Sequence, residues 1–308
     1  MSQVEDAELV GAIAAVPAWQ GLDAVATPIT AGITNRNFRI DVGGESFVLR
    51  LAGRDTGLLG IDREAENEAG RAAAAAGVGP EVYAWIPEHS CLITRFVQGV
   101  SIPEEDLQRE DVLGSVIASI KAFHRCPPIR STFPVFRIVG DYRKLASERG
   151  VPIPAAFDQA HTVAAKIEEA FGAAPMPAAT CHNDLLNANF LRDGDHTWIV
   201  DYEYAGMGDP FFDLGNLSIN NGLSPEAQET LLGQYFGQVE DVHRARLALM
   251  RMMSDFREAM WGVLQQALST LDFDYVGYAD RHFARCLATA ADAHFPDRLE
   301  AARAPVRP

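Results

Sequence analysis

Cysteine is scarce in this chain: four residues among 308, at Cys91, Cys126, Cys181 and Cys286. Their spacing fits no metal-binding pattern and they are too few to staple a chain this long, so a reduced, cytoplasmic setting is expected. Long apolar runs are also missing, so no segment reads as a membrane span. Basic residues are outnumbered, 26 Lys and Arg against 42 Asp and Glu, for a net charge of −16. That balance argues against nucleic acid and against an anionic membrane as partners, since both demand clustered cations. It suits a small cationic ligand. The opening MSQVEDAELV is acidic, unlike a secretory signal. No internal repeat and no low-complexity linker interrupts the chain beyond a short Ala run at 72–76. What is present, 48% hydrophobic and 22% charged residues, is the composition of a soluble globular protein. The length holds one large domain or two lobes and says nothing of oligomeric state.

Periodicity divides the chain. Residues 25–29 form a short strand, and 37–42 alternate with Phe38, Ile40 and Val42 on one face. Gly43-Gly44 is a hairpin turn, and 46–51 alternate again, with Phe47, Leu49 and Leu51 one way and Val48 and Arg50 the other. A helix over 62–76 starts at Asp62 and stops at Gly77. Pro80 then precedes a second hairpin, 82–85 with 91–96. From about residue 103 the period moves toward 3.6. Helices are expected over 103–124, 155–172, 225–238, 241–270 and 275–293, with a proline-marked loop region at 126–154 and a frayed tail from Ala301 to Pro308. The expected fold class is α+β: an antiparallel sheet with one helix over 1–96, and a larger, mainly helical part over 97–308.

The most informative segment is Cys181-His182-Asn183-Asp184-Leu185-Leu186-Asn187-Ala188-Asn189, followed by Trp198-Ile199-Val200-Asp201. Phe190-Leu191 and 196–200 read as strands joined by Arg192-Asp193-Gly194-Asp195, a Gly-containing hairpin turn. Folding it back brings Asn189 beside Asp201, so that two hard oxygen ligands meet as magnesium requires. Asp184, five positions before Asn189, sits in a loop where its carboxylate can orient an alcohol and take its proton. Asp is also a common turn and cap residue. The joint spacing of the three side chains favours phosphoryl transfer from a nucleoside triphosphate held with Mg2+, and does not choose between ATP and GTP. His182 is expected to brace the loop rather than to react.

Gly32-Ile33-Thr34-Asn35-Arg36-Asn37 lies between two strands, and its small polar residues, Thr34 and Asn35 above all, are candidates to approach phosphates. Arg50 departs from the apolar face of its strand. It is either a phosphate ligand oriented by Glu64, Glu66 or Glu68 of the following helix, or a solvated surface cation; the strand alone does not choose.

The runs HNDLLNANFL and IVDYEYAGMGDPFFDLGN, with AGITNRNFRI, FVLRL and LITRFVQG before them, resemble the choline/ethanolamine kinases over nearly the whole chain. That family shares a superfamily with the aminoglycoside phosphotransferases. The resemblance implies a bilobal protein-kinase-like fold with ATP between the lobes. It implies Asp184 as the catalytic carboxylate, Asn189 and Asp201 as magnesium ligands, and Arg50 partnered by Glu66, with Glu64 the alternative. Arg95, Phe96 and Val97 match the hinge whose backbone pairs with adenine, and Asp213 an Asp that supports the catalytic loop. Trp261 and Tyr278 match aromatic residues that face an ammonium, the physical basis being attraction of a cation to a ring face. Aromatics at helical spacing are otherwise mostly core.

The chain departs from many relatives at Ala31 in the phosphate loop, at Glu258 where they have Trp, and at Asn220 where they have Glu. The ammonium site is therefore expected to be rebuilt around Asp255 or Glu258. The expected partner is a small amino alcohol, choline or ethanolamine. An aminoglycoside, thiamine or a thio-sugar as acceptor stays open, as does a kinase-like nucleotide binder without turnover.

Overall fold

Local sequence rules account for the sheet-rich part. A computed structural model describes residues 6–29, 35–53, 56–269 and 271–307. Asp6 caps helix α1 (Ala7–Ala14) by accepting from the Leu9 amide. Strands β1 (Ala24–Ile29), β2 (Arg36–Val42) and β3 (Glu45–Leu51) follow, then α2 (Arg63–Ala75), β4 (Val82–Ile86) and β5 (Cys91–Arg95). The strands pair antiparallel in the order β1-β2-β3-β5-β4. Gly43 and Gly44 both have positive φ, as the tight β2–β3 turn needs. Asp62 caps α2, accepting from the Glu64 and Ala65 amides.

Alternation on β3 decides which residues face the rest of the molecule. Phe47, Leu49 and Leu51 pack with Leu9, Val16 and Trp19 in a small core on one face of the sheet. Arg50 is thereby turned to the opposite face, where α2 lies.

The second part comprises β6 (Val100–Ser101), α3 (Glu110–His124), α4 (Val135–Glu148), α5 (Ala156–Ala173), β7 (Ala179–Cys181), β8 (Phe190–Asp193), β9 (His196–Ile199), β10 (Gly206–Gly208), α6 (Pro210–Asn220), α7 (Pro225–Phe236), α8 (Asp241–Leu268), α9 (Tyr275–Ala291) and α10 (Phe295–Ala302). The 28-residue α8 is buried on nearly every side from Leu247 to Leu264 and is the axis of a large hydrophobic core. Two glycines bring helices onto it. A Cβ on Gly215 of α6 would lie 2.6 Å from the Met250 backbone carbon, and one on Gly262 of α8 would lie 2.9 Å from the Tyr278 ring. No helix among the described residues is long and apolar enough to cross a membrane.

The structure corrects four expectations. The helix expected from 103 begins only at Glu110, after a 3-10 turn over Glu104–Gln108. The region 126–154 contains α4: its prolines flank the helix, with Pro134 as N-cap, rather than interrupting it. The tail is not frayed from Ala301, because Ala302 is fully buried and its carbonyl accepts from Arg246 Nε at 3.2 Å. The hairpin of the motif is tighter than expected, since Arg192 and Asp193 stay in β8 and pair with Thr197 and His196. Helix α6 was invisible to periodicity because every residue from Pro210 to Ser218 is buried.

Candidate active site

The loop between β7 and β8 is held from beneath by side chains of α6. Asp213 accepts from the backbone amides of His182 at 2.7 Å and Asn183 at 2.6 Å, and from His124 Nε2 at 2.8 Å. Burial alone would raise the Asp213 carboxyl, but the His124 hydrogen bond and charge outweigh it and hold it below the ordinary carboxylate value. One helical turn on, Asn216 Oδ1 accepts from the Leu185 amide at 2.5 Å, and Asn221 Nδ2 donates to the Leu185 carbonyl at 2.9 Å. The His182 ring fixes the upper side: Nε2 donates to the Val200 carbonyl at 3.0 Å and Nδ1 accepts from the Asp184 amide at 3.3 Å. Burial keeps this imidazole neutral by lowering its pKa from 6.5. Asn183 adopts φ +66°, a left-handed conformation that Asn tolerates better than most residues.

The hairpin closes as its sequence implies. The Val200 amide donates to the Asn189 carbonyl at 3.0 Å, which sets Asp201 beside Asn189. Asn189 Nδ2 donates to the Asp184 carbonyl at 2.9 Å, and its Oδ1 accepts from no described residue. Asp201 also has a left-handed backbone, φ +69°. The donor set, one amide oxygen and one carboxylate on two adjoining backbone segments, fits a small hard cation such as Mg2+.

Arg50 reaches this point from the sheet. Its guanidinium pairs with Asp201 through Nη1 and with Glu66 through Nη2, and Glu66 is 2% exposed. Glu64 is not the partner; it accepts from Trp85 Nε1 at 2.8 Å. Asn35 is drawn into the same network, donating to Glu203 Oε2 at 2.9 Å and accepting from Arg63 Nη2 at 2.9 Å. Thr34 lies outside the described residues.

A cavity of about 610 Å³ joins these groups. Arg50, Asp184, Asn189 and Asp201 line it, and so do Glu258, Trp261 and Tyr278. Arg95, Phe96 and Val97 also line it. The Arg95 and Phe96 amides are spent on the Glu81 and Ser46 carbonyls, whereas the Val97 amide donates to no described residue.

On the helical side Tyr278 donates to Glu258 Oε2 at 2.8 Å, Arg257 Nη1 donates to Glu258 Oε1 at 2.6 Å, and Trp261 Nε1 donates to the Tyr204 hydroxyl at 3.1 Å. Burial would raise Glu258, but Arg257, His282 and the Tyr278 hydroxyl win and hold its carboxyl below the usual value. Burial pushes Asp184 up to about 8 against the pull of Arg257, with Glu258 adding to the rise. Asp255 does not reach the cavity. Its carboxylate is 1% exposed and is taken by Arg285 Nε at 3.0 Å and His282 Nδ1 at 2.8 Å, which removes it from the expected ammonium site.

Three residues here escaped the sequence. Arg257 lies 3.3 Å from Asp184, but a helix buried all round offers no pattern that singles it out. Arg63 bridges Glu66 at 2.6 Å and Glu203 at 3.3 Å. Glu203, two positions after Asp201, is a further buried carboxylate on the cavity wall, raised by burial and by Asp201. Its signal was its place in the DYEY run.

Comparison with known proteins identifies the family and the fold. The sequence pattern of the phosphotransferase enzyme family matches residues 25–249. A crystal structure of a choline/ethanolamine kinase family protein from Mesorhizobium loti superposes with a TM-score of 0.83 and 31% identity, covering 96% of this chain and 98% of that one. The architecture is thus the protein-kinase-like fold of that family. Protein LicA of Haemophilus influenzae is 27% identical over 225 residues, which span 71% of this chain but 65% of LicA. Ethanolamine kinase 1 of Mus musculus is 25% identical, covering 85% of this chain and 83% of that protein.

Proposed function

This chain belongs to the phosphotransferase enzyme family, in its choline/ethanolamine kinase branch, and we propose that it transfers the terminal phosphoryl group of ATP to the hydroxyl of a small amino alcohol. The observation that carries the reading is the convergence of Asp184, Asn189, Asp201 and the Arg50–Glu66 pair on one cavity that also holds Glu258, Trp261 and Tyr278. ATP would lie between sheet and helices, its adenine edge against the Val97 amide and its phosphates near Arg50. Mg2+ held by Asn189 and Asp201 would supply charge neutralisation on those phosphates.

Asp184 orients the acceptor hydroxyl and receives its proton as the acceptor oxygen bonds to the terminal phosphorus and the bridging phosphorus–oxygen bond to ADP breaks. Positioning and electrostatics do the rest: the loop under Asp184 is pinned by four hydrogen bonds between the backbone of residues 182–185 and the side chains of Asp213 and Asn216 in α6 and of Asn221 at its C-cap, so little reorganisation accompanies reaction.

Glu258 favours an acceptor whose ammonium carries N–H groups. Its two oxygens each hold one donor, and a carboxylate has about four acceptor sites, so an N–H of ethanolamine can add where the methyls of choline cannot. Trp261 and Tyr278 offer ring faces that either cation can use. The test is ADP release with ethanolamine, choline, thiamine and a set of aminoglycosides. The reading requires turnover with an amino alcohol, ethanolamine ahead of choline; release only with aminoglycosides would replace the acceptor, and none with any would refute it.

The four cysteines are unpaired thiols, three of them buried, which supports our placing the reaction in the cytoplasm.

A further inference from the structure

Arg257 has a geometry that the phosphotransfer reading does not itself require. Its side chain is 2% exposed, one turn of α8 before Trp261. A single nitrogen, Nη1, is shared between Glu258 Oε1 at 2.6 Å and Asp184 Oδ1 at 3.3 Å. The guanidinium carbon stands 4.4 Å from the Tyr204 ring centre, and Tyr204 in turn accepts from Trp261. The other nitrogens, Nε and Nη2, are buried and find no acceptor among the described residues. Among the described residues Nη1 bonds two carboxylates, one in the region of the acceptor's ammonium and the other at its hydroxyl, and the Tyr142 hydroxyl lies beside the same guanidinium. A planar guanidinium stacked on a ring can shift between the two carboxylates at small cost.

We infer that Arg257 is a positioning residue that couples the acceptor subsite at Glu258 to the orientation of Asp184. With Glu258 holding the guanidinium alone, the contact to Asp184 is the longer of the two. An ammonium paired to Glu258 competes for Oε1 and releases Nη1 toward Asp184, which is then held in place when the acceptor is present. The coupling explains why a buried charge is tolerated here with two of its nitrogens unsatisfied, an arrangement that costs stability.

The inference rests on the phosphotransfer reading, and the experiment separates the two. Steady-state ADP release with ethanolamine is measured for Arg257→Met, Arg257→Lys, Glu258→Gln and the Arg257→Met/Glu258→Gln double variant, alongside nucleotide affinity by calorimetry. Arg257→Met is expected to lower kcat about 100-fold, the scale of a displaced reacting group, with nucleotide affinity unchanged within about threefold. Arg257→Lys restores about tenfold of that loss, since a point charge reaches one carboxylate but not both. Glu258→Gln raises KM for ethanolamine more than it lowers kcat. The double variant loses about tenfold less than the product of the two single losses, because the partners act together. Should Arg257→Met fail to fold, Arg257→Lys and Glu258→Gln carry the comparison. A folded Arg257→Met with wild-type kcat, a kcat loss matched by lost nucleotide affinity, or losses that simply multiply would each overturn the coupling. A wild type inactive with every amino alcohol removes the amino-alcohol reading and the coupling together; an active wild type with indifferent Arg257 variants removes the coupling alone.

Discussion

Arg50 and Asp201, 151 residues apart in sequence, form an ion pair across the cleft, so the proposed metal ligand is already matched to a cation of the sheet. The pair also holds the sheet against the helical part, because Glu66 anchors the far side of the same guanidinium. Removing the Asp201 carboxylate takes away a metal ligand and the partner of Arg50 at once. Asp201→Asn is expected to weaken magnesium-nucleotide binding about 10- to 100-fold while changing metal-free nucleotide binding far less. Calorimetry with and without magnesium checks it; equal losses under both conditions would remove Asp201 from the metal site.

Asp184→Asn keeps the size of the side chain and deletes its capacity to take a proton. Turnover should fall about 100- to 10,000-fold, the range for a general base, with nucleotide affinity retained. Single-turnover ADP formation reads the chemical step directly. Wild-type rates in this variant would place the base elsewhere.

Asp213 has a different task, and its loss should appear as instability. Asp213→Ala leaves the buried amides of His182 and Asn183 without acceptors, at about 1–3 kcal/mol each, and strands His124 beside a cavity. A loss of roughly 3–5 kcal/mol in urea unfolding is expected, and Asp213→Asn should cost less because an amide oxygen still accepts. Full stability in Asp213→Ala would show that the loop is held by other contacts.

His182 makes the fold sensitive to acid. Burial lowers its folded pKa below 6.5, so the unfolded chain takes up this proton first. The contribution is therefore intact above 6.5 and is lost as pH falls from there through the folded value. The melting temperature should drop on acidification from about pH 7.5 to about pH 5.5, and His182→Gln should flatten that slope. An unchanged slope would assign the acid sensitivity to other groups.

Much of this was written in the chain. Alternation placed Arg50 on the face opposite Phe47 and Leu49, Gly43-Gly44 closed the first hairpin, and the interval from Asn189 to Asp201 matched a hairpin whose ends meet. These are local rules of period, cap and turn, readable without knowing what packs where. Helix α6 was not readable, because burial on all sides erases the hydrophobic period; α4 keeps a one-sided buried stripe of Val135, Val139, Tyr142 and Ala146 that its flanking prolines obscured, and the docking of Ala302 is a tertiary contact.

The finer chemistry was decided only by tertiary packing. Sequence offered Asp255 and Glu258 as equals; the approach of α9 at Gly262 gave Tyr278 to Glu258, while Arg285 and His282 of the same helix took Asp255 out of reach. The residues alone offered Glu64, Glu66 and Glu68 and the family resemblance preferred Glu66; the turn of α2 against the sheet gives Glu66 to Arg50 and Glu64 to Trp85. Arg257 could not be foreseen, since a cation acquires its meaning from the carboxylates brought within hydrogen-bond distance of it. Short-range geometry is set by neighbours in the chain; electrostatic partnership depends on through-space distance, which only the folded molecule supplies.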